Sequence, residues 1–97
     1  MNESKFPAAV ITAGYRERLG LTYRAFADAL AEHLVNGGVT HATIMNWEKG
    51  ITDPNERFVL TCLATYQDWR RQWAIDVLCG TLPEVFEREN NNIRMLV

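Results

Sequence analysis

This 97-residue chain lacks an excess of charge of either sign. Ten lysines and arginines stand against twelve aspartates and glutamates, a net charge of −2. It therefore exerts no global pull on polyanions, and any grip on nucleic acid has to come from local geometry. Cysteine is scarce: Cys62 and Cys79 both fall inside helical pattern, which argues against a disulfide framework and for reduced core thiols. No stretch approaches the roughly 18 uninterrupted apolar residues of a membrane span. The N-terminus has no apolar run of the signal-peptide kind, so the cytoplasm is the expected compartment. Period-two alternation, internal repeats and low-complexity segments are missing as well. What remains is the composition of an ordinary globule, 47% hydrophobic and 23% charged, at a length that suits one domain.

Glycine and proline mark the boundaries. A first helix opens at Pro7, carries Ala8, Ile11, Tyr15 and Leu19 on one face, and ends at Gly20. Thr22 is placed to cap a second helix, in which Phe26, Leu30 and Leu34 recur every four residues up to the Asn36-Gly37-Gly38 stop. Thr40 then caps a short third helix from His41 to Lys49, closed by Gly50. Asp53-Pro54-Asn55-Glu56 supplies an N-cap, a proline at the first helical position and a glutamate at the third. An apolar stripe of Val59, Cys62, Leu63, Tyr66, Trp69, Trp73 and Val77 follows as far as Gly80, with Asp68 offering a fresh start after Gln67. Thr81-Leu82-Pro83-Glu84 is a further capping signal for a short helix over 85–89, and the tail from Ile93 to Val97 is apolar. The expected fold is all-α, a compact bundle of about five helices. Residues 1–80 form its domain and residues 81–97 a C-terminal extension, a candidate dimerisation element.

The third helix is the informative one. With Ile44 pointing inward, Trp47 lies about 60° to one side and Glu48 about 40° to the other, so all three face the body of the domain. Ala42, Asn46 and Lys49 fall on the opposite side, flanked by Thr43 and Met45. An anchored helix with a small, hydrogen-bonding outer face suits insertion into a DNA groove, where bulk would hold it off the bases and acids would meet phosphates. Glu48, turned inward beside a tryptophan, needs a cation unless it sits hydrated at the rim, and Arg16 on the first helix is the candidate partner.

The run Tyr15-Arg16-Glu17, Gly20-Leu21-Thr22, Val39-Thr40, Ile44, Trp47-Glu48-Lys49-Gly50 and Pro54 resembles the Xre/Cro helix-turn-helix family, which includes the repressors of lambdoid phages. The resemblance covers about residues 8–66, and Trp-Glu-Lys-Gly followed by proline is its most specific part. It implies a helix-turn-helix whose third helix enters the DNA major groove, and an Arg16–Glu48 ion pair. Carried over by position, it implies base contacts from His41, Ala42, Thr43 and Asn46, and phosphate contacts from Thr22, Tyr23, Thr40 and Lys49. The chain departs from the family in the stretch from Leu21 to Gly38, longer by about two helical turns, which points to an elongated second helix. It departs again at Ile51-Thr52-Asp53, where basic residues are often found.

The expected function is therefore sequence-specific binding of double-stranded DNA at a two-fold operator by a homodimeric repressor. The alternative is a protein-interaction module on the same scaffold (an antitoxin, antirepressor or assembly subunit), favoured by the acidic balance and the few cations around the third helix. Trp69 and Trp73 on successive turns, with Met95, Leu96 and Val97 of the tail, are candidates for the dimer interface, although core packing is the simpler account of the tryptophans. His33, His41, Cys62 and Cys79 match no common zinc spacing, so no metal is expected. With no catalytic constellation or phosphate-cradling loop, neither an enzyme activity nor a cofactor or small-molecule substrate is expected.

Overall fold

The computed structural model describes residues 7–34 and 39–81. The described residues form five α-helices: α1 (Pro7–Arg18), α2 (Tyr23–Ala31), α3 (His41–Glu48), α4 (Glu56–Thr65) and α5 (Trp69–Thr81). Among the described residues there is no strand, and no helix is long and apolar enough to cross a membrane. The 81–97 extension lies beyond the described residues, apart from its first residue, Thr81.

Local chemistry sets most of the boundaries. The Thr22 hydroxyl accepts from the Ala25 N–H at 3.0 Å and caps α2. Thr40 and Thr43 form a reciprocal capping box at the start of α3. Gly20 and Gly50 take positive φ, 69° and 73°, immediately after α1 and α3. The left-handed turn lets Leu21 N–H reach back to Arg16 C=O and Ile51 N–H to Asn46 C=O. Asp68 accepts from the Arg70 N–H at 3.0 Å and restarts the chain as α5 after Tyr66 turns extended.

Three boundaries differ from the sequence pattern. The α4 cap is Asn55, whose Oδ1 accepts from the Arg57 and Phe58 N–H groups at 2.8 and 3.3 Å. Asparagine caps as well as aspartate, and this register leaves Pro54 buried ahead of the helix. At the other end of the stripe, α5 runs on through Gly80.

The elongated second helix is not present. The last carbonyls of α2 are taken by side chains from the α4–α5 region. Arg70 Nη1 donates to Ala29 C=O at 2.8 Å, and the Tyr66 hydroxyl donates to Leu30 C=O. In a continuing helix those carbonyls would receive the His33 and Leu34 N–H groups. Instead, His33 N–H goes to the Tyr66 hydroxyl at 3.2 Å and Leu34 N–H to Ala31 C=O at 3.0 Å. Leu34 still packs against the core, from a loop rather than a helix. The Asn36-Gly37-Gly38 stop lies outside the described residues.

The core centres on Trp73, which has no exposed surface. Trp47 stacks on it at 5.8 Å, with Phe26 and Phe58 edge-on at 6.4 Å each. Its indole N–H donates to the buried Thr12 hydroxyl at 3.1 Å, so the polar end of the ring is satisfied inside the protein. Trp69 is half-buried and packs on Phe26 and Tyr15. Trp73 is thus removed from the candidate dimer interface, because a fully covered side chain has no surface to offer a partner. Met95, Leu96 and Val97 lie outside the described residues.

Replacing Tyr66 with phenylalanine deletes the hydroxyl that ends α2 and leaves the Leu30 carbonyl without its partner. Urea denaturation of Tyr66→Phe should show a loss of about 1–3 kcal/mol. An unchanged midpoint would mean that the α2 terminus is fixed by something else.

Candidate nucleic-acid interface

The α3 helix is held from behind. Ile44 is fully buried and Trp47 is 5% exposed, both within the core cluster. Glu48 is gripped by Arg16 through two parallel contacts, Nε to Oε2 at 2.6 Å and Nη2 to Oε1 at 3.0 Å. The two side chains are only 16% and 8% exposed, so the pair is largely withdrawn from solvent. Arg16 also donates to Leu21 C=O at 3.2 Å and lies over the Tyr23 ring at 4.4 Å. One guanidinium thereby ties α1 to the α1–α2 turn, to α2 and to α3. Its hydrogen bond to Glu48 raises its pKa further above the ordinary arginine value.

On the outer side, His41, Ala42 and Lys49 are exposed, and Thr43, Met45 and Asn46 are half-buried. The side chains of His41, Asn46 and Lys49 make no hydrogen bond or ion pair with other described residues. Thr43 differs: its hydroxyl accepts from Thr40 N–H at 3.3 Å and pairs with the Thr40 hydroxyl at 3.2 Å. That engagement leaves chiefly its methyl group without a partner role in the cap. Thr22 and Thr40 each use their hydroxyl as a cap, while both remain exposed. Beyond the two caps, the first amides of α2 and α3 (Tyr23 and Arg24, His41 and Ala42) have no acceptor among the described residues, an arrangement that suits anionic oxygen. Tyr23 is half-buried beneath Arg16.

Arg24 was missing from the sequence expectations. It is exposed in the first turn of α2, directly after Thr22 and Tyr23. Its position beside a capping threonine was the available signal, and it puts an exposed cation at the start of α2.

Other chemistry is sparse. Among the described residues no group of three or more His, Cys, Asp or Glu is arranged to hold a metal ion. Cys62 is buried, and burial pushes its thiol up to about 12. Cys79 is exposed on α5, contrary to the expectation of a core thiol, because it falls on the solvent side of that helix. Comparison with protein-family models, curated proteins and solved structures returns no match.

Arg16→Ala would leave Glu48 largely buried without its cation. Thermal or urea unfolding should register a loss of about 3–5 kcal/mol. A melting temperature equal to that of the unaltered chain would refute the role given to the pair.

Proposed function

We propose that the protein is a sequence-specific, double-stranded-DNA-binding transcriptional regulator, a cytoplasmic repressor of the Xre/Cro helix-turn-helix type. In this reading α2 and α3 form the helix-turn-helix, and α3 lies in the major groove. The observation that carries it is the division of α3 into two sides. Ile44, Trp47 and the neutralised Glu48 face the protein, while His41, Ala42 and Asn46 present a small, uncharged outer surface with unengaged polar groups.

Each exposed group then has a chemical task. Asn46 pairs its amide with the N6 and N7 edge of adenine. His41 donates to guanine or to a phosphate, and Ala42 and the Thr43 methyl meet thymine methyl groups. Lys49, Arg24, Thr22, Tyr23 and Thr40, with the free amides at the starts of α2 and α3, hold the flanking phosphates. A single reading helix covers too few base pairs for tight discrimination, so two copies occupy a two-fold operator, their α3 helices about 10 base pairs apart. Repression is steric: the bound dimer occludes polymerase or a competing regulator. With few cations on the reading face, non-specific affinity is modest.

Selection of bound fragments from random duplex DNA should yield a short two-fold motif. On that motif Asn46→Ala should lose about 1–3 kcal/mol, with binding to unrelated duplex unchanged. Lys49→Ala should instead weaken binding to all sequences alike and lower the salt slope by about one. Flow-through from heparin and from duplex DNA at low salt would reject the DNA reading in favour of a protein-interaction module.

A further inference from the structure

A surface that the proposed DNA contacts leave unused is the groove between α1 and α5. The two helices pack side by side, with Trp73 bonded to Thr12, and Tyr15 bonded to Asp76 and stacked on Trp69. Along them lies a groove of about 440 Å³ whose lining includes Val10, Gly14, Tyr15, Arg18, Asp76 and Cys79. We propose that this groove is the face through which two copies of the chain associate. The proposal rests on the DNA reading for its two-fold stoichiometry and names the surface that joins the two readers.

Three observations favour a second copy as the occupant. The first is Val10, the most exposed of the large hydrophobic residues among those described, at 71%. The second is Gly14. A Cβ built there meets no described residue within 4 Å, so packing among the described residues does not require glycine. Glycine inside a helix is otherwise unfavourable relative to alanine, and its presence leaves space for a close approach from outside.

The third is charge. Arg18 donates to Gly14 C=O at 3.3 Å and lies over the Tyr15 ring at 4.6 Å, with no ion pair to a described residue. Asp76, on the hydroxyl end of the same tyrosine, accepts from the Tyr15 hydroxyl at 2.6 Å and from the Gln72 amide at 3.0 Å, also with no ion pair to a described residue. One groove therefore carries a cation and an anion, neither in a direct ion pair among the described residues, around an apolar centre. A two-fold copy brings the Arg18 of each protomer toward the Asp76 of the other, which makes the surface self-complementary.

The direction of the groove also suits the reading helix. Val10 and Gly14 project within about 40° of each other on α1, whereas Arg16, which holds α3, points about 120° or more away from either. Association through the groove leaves the outer side of α3 uncovered.

Sedimentation equilibrium of the full chain without DNA tests the proposal, so a failure to dimerise is read separately from a failure to bind DNA. A reversible dimer is expected. Val10→Glu and Gly14→Gln, both at positions open to solvent, should each raise its dissociation constant about tenfold or more, with the helical circular dichroism retained. Cys79 supplies a second readout, because it lines the groove and is exposed while Cys62 is buried. Its rate of modification by a thiol reagent should fall as protein concentration rises, and Val10→Glu should abolish that protection. A chain that stays monomeric, or a dimer indifferent to both substitutions, overturns the proposal. So does Cys79 protection that is independent of concentration, which would mean that the chain's own residues cover the groove.

Discussion

The paired contact between Arg16 and Glu48 governs the geometry of the face proposed to read DNA. Two charges are withdrawn from water together, which is tolerable only because the guanidinium fork meets the carboxylate on two oxygens and the remaining N–H finds the Leu21 carbonyl. Because Arg16 sits on α1, the rotation of α3 about its own axis is locked to the first helix. Ile44 and Trp47 supply cohesion, but apolar contacts alone allow small rolls; a forked ion pair does not. The pair also removes the one negative charge in α3 from electrostatic consideration, so a phosphate backbone would approach a neutral helix.

Much of this was legible in the sequence, and for identifiable reasons. Helix starts capped by Thr22 and Thr40, and ends marked by Gly20 and Gly50, are decided within four or five residues, so local chemistry announces them. The inward direction of Ile44, Trp47 and Glu48 follows from helical periodicity. Asp68 read correctly as a restart because its carboxylate reaches only two residues ahead.

What escaped detection depends on partners distant in the chain. The end of α2 is fixed by Tyr66 and Arg70, 36 and 41 positions beyond the carbonyls they bind, and no periodicity between 22 and 38 carries that information. Leu34 kept its apolar register and so imitated a continuing helix. Asn55 won the α4 cap over Asp53 through a difference too small for propensity to rank, since both residues cap well. The burial of Trp73 was similarly ambiguous: a tryptophan on an apolar stripe suits an interface as well as a core until the Thr12 hydroxyl is seen to satisfy its indole. Cys79 failed for the opposite reason, because a helix continuing past it gave the thiol a solvent side.

The same long separations bear on how the molecule comes into being during translation. Thr12 and Trp73, and Tyr15 and Asp76, are joined across 61 positions, and α2 is terminated by groups from the α4–α5 region. A nascent chain that has exposed only α1, α2 and α3 therefore holds α3 without the Trp73 that backs Trp47 and with the end of α2 unsecured. The surface proposed to recognise DNA is complete only after the fifth helix has left the ribosome, so an incompletely synthesised protein would carry α3 without the packing that orients it.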